Sequence, residues 1–269
     1  MKIAVAGGTG AVGRHVVDLV REGGHEAVVL SRAHGVDLVS GSGAAEALRG
    51  VAAVVDVTST PTMSAKASEE FFTTVTRQLL AAGQAAGVEH HVALSIVGVD
   101  RAPYGYHAGK VAQERVVEGG GVAWTILRAT RFHEFAGQMY GRMRRGPLVV
   151  VPRMTSEPVA AREVAARLVE LATGAPAGRV TDLGGPRVES VSAMVRAYAH
   201  HTGRRGPVVE VPLPGGMGRA MRDGSLVTRA PADHGTLTYA QWLWLQQPVM
   251  QARRVVPRAS GAAGRSQRW

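Results

Sequence analysis

The sequence contains no cysteine, and this absence excludes disulfide bonds, thiolate metal sites and a thiol nucleophile. It also contains no apolar run long enough to span a bilayer. Its first residues, MKIAVAGG, are too short and too glycine-broken for a signal peptide. The sequence therefore predicts a globular, cytoplasmic protein with no membrane partner.

Acidic residues are scarce, since 21 Asp and Glu accompany 31 Lys and Arg and leave a net charge of +10. Half of this excess comes from the final stretch PVMQARRVVPRASGAAGRSQRW, which has five arginines and no acid. Its Pro, Gly and Ser content and weak periodicity are typical of a solvated tail. We therefore predict a basic tail over residues 248–269, a candidate for disorder, and expect no nucleic-acid partner.

Apolar strands alternate with amphipathic helices in the first half of the chain. This alternation is typical of a doubly wound parallel sheet, an α/β Rossmann fold with helices on both faces. The segments predicted as strands are KIAVAG, EAVVLSR, a short piece at Asp37 and Leu38, VAAVVDVTS, HHVALSIVG and VAWTILRAT.

After Arg131 the alternation loosens, although helices are still predicted at EPVAAREVAARLVELATG and SVSAMVRAYAHHTG. This second part has too few regular elements to predict a hydrophobic core of its own. We expect it to cover the carboxyl ends of the sheet. The predicted organisation is one Rossmann-like domain over residues 1–247, of which residues 131–247 form most of a small C-terminal substrate-binding region.

A glycine-rich stretch joins the first strand to the first helix. Gly7, Gly10 and Gly13 form the pattern G-x-x-G-x-x-G, which permits a tight turn and a close approach to a pyrophosphate. The N-terminus of the helix offers free N–H groups to the same phosphates. The stretch therefore predicts a dinucleotide site, to which the intervening residues Thr9, Ala11 and Val12 also belong.

The end of the second strand indicates which dinucleotide is bound. Ser31 and Arg32 stand where an acidic residue would bind the ribose hydroxyl of NAD. A guanidinium suits the 2′-phosphate of NADP, so we predict NADPH as the cofactor. The alternative reading is an ordinary solvent-exposed arginine.

Lysine is rare in this arginine-rich chain, with only Lys2, Lys66 and Lys110. Lys110 follows Tyr106 by one helical turn, and Ser95 lies at the end of the preceding strand. An ammonium beside a tyrosine lowers the phenol pKa for proton donation, and a serine hydroxyl could hold the same substrate oxygen. These three residues are the predicted catalytic group. The alternative is a capping serine beside a surface Tyr/Lys pair.

The motifs GGTGAVG, LSR, ALSIVGVD, YHAGKVAQE and WTILRATRFHEF, in this order, resemble atypical short-chain dehydrogenase/reductases of the NmrA-like, NAD(P)H-binding family. The resemblance runs from Met1 to about Leu245. It implies that Ser95 and Lys110 also contact the cofactor. The further cofactor contacts that it implies are Asp37 and Leu38 near the adenine, Thr58 and Ser59 beside the ribose and nicotinamide, and Thr130, Arg131 and Phe132 over the nicotinamide.

The same resemblance places His133 and Glu134 at the substrate pocket. We expect mostly apolar walls there, from Phe132, Met139, Tyr140 and the region of Met217 and Met221. For His133, a hydrogen-bonded wall residue is favoured over a general base. No metal site is expected, because the EHH sequence at 89–91 lacks further ligands at metal spacing.

Two departures from the family bear on function. The chain has no asparagine, so the asparagine of many family proton relays is missing, and the interval from Ser95 to Tyr106 is short. The main prediction is an NADPH-dependent reductase of a ketone or quinone, acting on a small aromatic or polyketide-like molecule of secondary metabolism. The alternative is a non-catalytic NADP(H) redox sensor. A homodimer is compatible with either.

Overall fold

The computed structural model describes residues 1–246. The basic tail predicted over residues 248–269 lies outside the described residues and stays a prediction. Within residues 1–246 no helix is long and apolar enough to cross a bilayer.

The first half of the chain alternates strands and helices as predicted. Its elements are β1 (Lys2–Ala6), α1 (Gly13–Glu22), β2 (Glu26–Leu30), α2 (Ala44–Ala47), β3 (Ala53–Asp56), α3 (Ala65–Ala86), β4 (His90–Ile96), α4 (Tyr106–Glu118) and β5 (Trp124–Ala129).

The second half contributes shorter elements. They are α5 (Phe135–Met143), β6 (Arg144–Arg145), β7 (Leu148–Pro152), β8 (Thr155–Ser156), α6 (Ala161–Thr173), β9 (Gly178–Arg179), β10 (Asp182–Gly184), β11 (Glu189–Ser190), α7 (Val191–His201), β12 (Val208–Val211), α8 (Gly215–Ala220), β13 (Ala232–His234) and α9 (Tyr239–Leu245).

The central sheet has eight strands in the order β13-β10-β5-β4-β3-β1-β2, with β9 also paired to β5. All of these pairs are parallel. The chain moves outward from β1 to β2 and then crosses to the other side of β1 at β3. Ligands of such sheets bind outside the carboxyl ends at this reversal. The predicted Rossmann fold is confirmed.

Apolar side chains cover both faces of the sheet, as is typical of a parallel sheet buried on both sides. On one face α1 and α6 pack over Val5, Val55 and Leu127. On the other face α2 and α3 pack over Ala4, Ala6 and other buried residues. The helices hold the sheet from both sides and leave its carboxyl edge for the site.

The short third strand predicted at Asp37 and Leu38 is wrong. Asp37 forms only an isolated antiparallel bridge to Ser42. Its carboxylate accepts a hydrogen bond from the Val39 N–H at 2.9 Å, which closes a local turn. This side-chain turn replaces a sheet ladder.

The second half forms its own buried cluster, so the expectation that it lacks a core is also wrong. Met139, Tyr140, Val151, Met194 and Val195 pack together there with other apolar residues. The three-stranded sheet β12-β7-β6 frames this cluster. The sequence underestimates it because its strands are short and irregularly spaced.

Candidate functional site

The glycine turn has the close backbone contacts that a phosphate cradle requires. Gly7 has a φ of +81°, and a Cβ at Gly13 would lie 2.1 Å from the Gly7 carbonyl oxygen. A Cβ at Gly10 would lie 3.2 Å from the same oxygen. Backbone atoms cannot yield as a flexible side chain does, so the turn admits only glycine at position 13. The residues present therefore fit a bound dinucleotide phosphate.

Helix α1 begins directly at this turn. Its N-cap, Val12, makes no side-chain capping bond, so no side chain competes for the helix N–H groups. Thr9 and Gly10 are exposed and Ala11 is half-buried, whereas Val12 is buried in the core beneath them. The accessible face of the turn is thus backbone and one hydroxyl, which suits an anion.

Arg32 lies at the carboxyl end of β2, next to the strand that carries the glycine turn. It opens a short 3₁₀ turn over Arg32–His34 and is exposed. The hydroxyl of Ser31 pairs with His34 Nδ1 at 2.7 Å instead of with Arg32. Within residues 1–246 the guanidinium forms no ion pair, and it is therefore available to a phosphate. The adenine role of Asp37 and Leu38 stays a prediction, although Leu38 packs partly into the core.

A buried carboxylate organises the end of β3. Asp56 is fully buried, and its Oδ1 accepts hydrogen bonds from the N–H and the hydroxyl of Thr58, at 3.0 and 2.7 Å. Thr58 is thereby committed to the backbone turn, while Ser59 is exposed beside it. Asp56 was not predicted as a site residue. Its signal was a single charge inside the apolar segment VAAVVDVTS.

Tyr106 begins α4 and pairs with Ser59, with 3.1 Å between the two hydroxyl oxygens. Its ring packs edge-on against Phe72, with the centroids 5.4 Å apart. Burial raises the pKa of Tyr106, and the hydrogen bond to Ser59 offsets only part of this effect. The prediction that the phenol pKa is lowered is wrong for the described structure. The phenol stays protonated at neutral pH.

Lys110 is buried one turn further along α4. Its Nζ donates to the Leu94 carbonyl at 2.5 Å and to the Gln113 side-chain oxygen, and it lies 4.6 Å from the Phe72 ring centroid. Gln113 in turn donates to Asp56 Oδ2 at 2.8 Å. Burial lowers the pKa of Lys110 to about 8, against the charges of Asp56 and Glu114.

The ammonium of Lys110 therefore forms no hydrogen bond to Tyr106 within residues 1–246. Both side chains contact the Phe72 ring, and the Asp56–Gln113–Lys110 chain joins the end of β3 to α4. Lys110 fixes the position of the helix that carries the tyrosine. The spacing of Tyr106 and Lys110 predicts one helix for both, but it does not predict the direction of the lysine side chain.

Ser95 does not join this group. It is buried and opposes Arg128 in the β4–β5 register. Arg128 forms a two-pronged pair with Glu114, at 2.8 and 2.7 Å, and a third bond to Asp100 at 3.1 Å. The predicted hydrogen-bonding partner of the substrate oxygen therefore lies beside a structural ion network. Ser59 is the hydroxyl that meets Tyr106.

The segment after β5 crosses the carboxyl edge of the sheet. The Thr130 hydroxyl donates to the Glu157 carbonyl, and its N–H donates to Leu183 at 2.9 Å, so its polar groups are used internally. Phe132 is half-buried and bridges to Val159. Arg131 is half-buried between them, with its guanidinium carbon 5.3 Å from the Phe135 ring centroid.

Three predicted pocket residues lie in the core instead. Met139 and Tyr140 are buried in the cluster of the second half. His133 is fully buried against Tyr239 and Trp242, and its Nε2 pairs with the Leu237 carbonyl at 2.9 Å. The bond to Leu237 favours the hydrogen-bonded reading of His133 over a general base, and the substrate-facing role of the three stays a prediction that their burial does not support.

Glu134 lies near the start of α1, which follows the glycine turn. It lines a cavity of about 540 Å³ together with Arg14, Tyr198 and Trp242. Burial raises the pKa of its carboxyl, and the charge of Arg14 opposes this effect. Glu134 was predicted at the substrate pocket, and in the structure it is half-buried and borders this cavity.

Comparison with protein families gives one match. A family model described as NAD(P)H-binding matches residues 7–174, from the glycine turn to the end of α6. No curated protein is detectably similar to the chain in sequence.

The fold is similar to several solved structures. The NADPH-dependent quinone oxidoreductase QOR2 of Escherichia coli, complexed with NADPH, is 17% identical over 91% of this chain and 99% of that chain, with a TM-score of 0.68. A UDP-glucose 4-epimerase of Thermotoga maritima, with UDP-glucose, is 16% identical over 91% and 97%, with a TM-score of 0.68. The NAD-dependent NDP-hexosamine 5,6-dehydratase TunA is 16% identical over 92% and 98%, with a TM-score of 0.69. At such identities the similarity establishes the fold.

Proposed function

Because the chain belongs to the NAD(P)H-binding family, we propose that it is an NADPH-dependent oxidoreductase. Its acceptor is a carbonyl or quinone of a small aromatic or polyketide-like molecule. The observation that carries this proposal is the Ser59–Tyr106 hydroxyl pair, which lies at the carboxyl edge of the sheet beside the glycine turn. The structural similarity to a quinone oxidoreductase that binds NADPH supports the same reading.

The cofactor choice rests on Arg32. The glycine turn and the N-terminus of α1 bind the pyrophosphate, and the exposed guanidinium of Arg32 binds the 2′-phosphate that distinguishes NADPH from NADH. NADPH supplies the hydride when it is bound. The chain supplies its position and the surrounding field.

Tyr106 acts as the proton donor in this proposal. As charge grows on the acceptor oxygen, Tyr106 Oη donates its proton, while Ser59 holds the phenol by a hydrogen bond. Solvent then returns the proton to Tyr106. Lys110 is a positioning residue, because its ammonium is bonded to Leu94 and Gln113. We propose no substrate contact for Ser95.

The test is NADPH oxidation by Tyr106→Phe with two kinds of acceptor. Removing the phenol proton should lower kcat for aromatic ketones by about 10²- to 10⁴-fold, the usual worth of general acid catalysis. Quinones need less protonation, so their loss should be smaller. Ser59→Ala, which keeps the phenol but removes its partner, should give an intermediate loss. Unchanged ketone reduction by Tyr106→Phe would contradict the role of the tyrosine.

A second candidate function is a non-catalytic NADP(H) sensor. The observation that favours it is the raised pKa of Tyr106 together with the separation of Ser95 and Lys110 from the phenol. A sensor would bind both NADP⁺ and NADPH and would not oxidise NADPH with any acceptor. Turnover by the wild-type protein excludes it.

A further inference from the structure

Arg131 is a half-buried cation that has no anionic partner among residues 1–246. Within residues 1–246 its guanidinium forms no ion pair and no side-chain hydrogen bond. The neighbouring arginines of the same edge are satisfied. Arg128 binds Glu114 and Asp100, and Arg101 donates to the Ser225 and Val227 carbonyls at 3.0 Å each.

Burial desolvates the guanidinium of Arg131, and no acidic side chain of the described residues compensates its positive charge. Its guanidinium lies over the Phe135 ring. Burial lowers the pKa of Arg131 to about 10, and no acidic group opposes this effect. At neutral pH the side chain is still charged. Binding of an anion to a desolvated guanidinium that has no opposite charge beside it is therefore favourable.

A second titratable side chain, His107, lies within reach of the charge of Arg131. Burial and this charge together hold the pKa of His107, the residue after Tyr106, at about 4. His107 is therefore neutral at physiological pH and adds no second cation. Its Nδ1 is held by the Ala102 carbonyl at 3.1 Å.

The place of Arg131 in the sheet separates it from the phosphates of the cofactor. It follows β5, which is three strands from β1 in the order β5-β4-β3-β1. With strands about 4.8 Å apart, this is roughly 14 Å from the strand that leads into the glycine turn. Tyr106, by contrast, follows β4, the direct neighbour of β5.

We propose that Arg131 is a specificity-determining residue that binds a carboxylate of the substrate. This proposal rests on the proposed reductase function and narrows its substrate class to aromatic carbonyl compounds or quinones that carry an acidic group. The planar guanidinium binds a carboxylate through two parallel hydrogen bonds, which also orients the ring toward Tyr106.

Two variants and one control test the proposal. Arg131→Gln removes the charge and keeps a shorter polar side chain, and Arg131→Lys keeps the charge without the fork. Arg21→Gln removes an exposed arginine in the last turn of α1, at the opposite edge of the sheet. Thermal unfolding of each variant verifies that it folds.

The kinetic measurement compares 3-carboxybenzaldehyde with its methyl ester. In the wild type the acid should have the lower KM. Arg131→Gln should raise the KM of the acid by about 10- to 100-fold, as expected for hydrogen bonds to a charged group. The ester should change less than about twofold, Arg131→Lys should recover part of the loss, and Arg21→Gln should behave as the wild type.

A binding measurement separates this proposal from the reductase function. Benzoate and benzamide are titrated by calorimetry into the protein saturated with NADP⁺, which requires no turnover. Preference for benzoate that disappears in Arg131→Gln supports the inference even if no aldehyde is reduced. Equal binding of benzoate and benzamide to the wild type overturns it. Weakened NADP⁺ binding by Arg131→Gln also overturns it, because Arg131 would then act on the cofactor, whose nicotinamide the family resemblance places beside it.

Discussion

Close contacts between backbone atoms determine which residues the glycine turn can accept. The space that Gly13 leaves is filled by the Gly7 carbonyl oxygen and the Gly8 Cα, and both belong to the backbone. A side chain there must push the turn open. Among residues 1–246, a Cβ at Gly10 would meet one close atom, the Gly7 carbonyl oxygen at 3.2 Å, so that position tolerates a small shift. Position 13 therefore links the fold and cofactor binding most tightly.

Gly13→Ala should lower the free energy of unfolding by about 1–3 kcal/mol, the usual cost of overpacking, and abolish measurable NADPH binding. Urea unfolding and calorimetric titration measure the two effects. The matched control is Gly141→Ala in α5, where a Cβ meets no atom of the described residues 1–246 within 4 Å. Helix propensity predicts about 0.5–1 kcal/mol of added stability there, with unchanged binding. Wild-type NADPH affinity in Gly13→Ala would contradict the cradle.

At the same scale, side-chain direction explains most of the differences between the sequence-based expectations and the structure. The interval from Tyr106 to Lys110 places both on one helix, but a long side chain can turn toward solvent, phenol or sheet. Lys110 turns to the sheet because Leu94, Gln113 and Asp56 satisfy its charge there. Of these partners, Asp56 and Gln113 have no motif that marks them in the sequence.

Helix α4 connects the ion network, the buried lysine and the tyrosine. Glu114 on this helix binds Arg128 of β5, and Lys110 binds the Leu94 carbonyl of β4. These two contacts hold α4 against the sheet, and Tyr106 lies in the first turn of this helix. The position of Tyr106, the proposed proton donor, therefore depends on contacts made along the whole of α4.

The buried ammonium makes stability depend on pH. Burial lowers the folded pKa of Lys110 to about 8 from its ordinary value of 10.5. Between these values the unfolded chain binds a proton that the folded protein has released. The free energy of unfolding therefore rises with pH from about 8 to about 10, by at most ~1.4 kcal/mol per pH unit.

Urea unfolding at a series of pH values measures this dependence. Lys110→Met should remove the rise, because no buried ammonium remains to titrate. Lys66→Met, at an exposed site on α3, should keep it. A wild-type protein whose stability is flat between pH 8 and 10 would show that Lys110 is not desolvated.

Across the whole molecule, the regular half of the fold could be predicted and the irregular half could not. Strands β1 to β5 are apolar and bounded by turn residues, so their place and parallel pairing follow from the sequence. The cluster around Met139 and Tyr140 is assembled from two- to five-residue strands and short helices. Such elements carry too little periodicity, so residues expected at a pocket wall belong to a core.

In the candidate site too, one part follows from the sequence and another part does not. The glycine turn and Arg32 depend on backbone placement at strand ends, which topology fixes. The partners of Tyr106 depend on which of several nearby hydroxyls faces it. Ser59 was expected only beside the ribose and nicotinamide, yet it is the hydroxyl that meets the phenol.

The most direct test of the central claim is the rate at which the purified full chain oxidises NADPH and NADH with a quinone acceptor. The absorbance of the reduced nicotinamide follows the reaction. We expect turnover with a strong preference for NADPH, and a loss of that preference by about 10- to 100-fold in Arg32→Ala, the worth of a hydrogen bond to a charged phosphate. NADPH that binds but is not oxidised with any quinone or aromatic ketone would contradict the account.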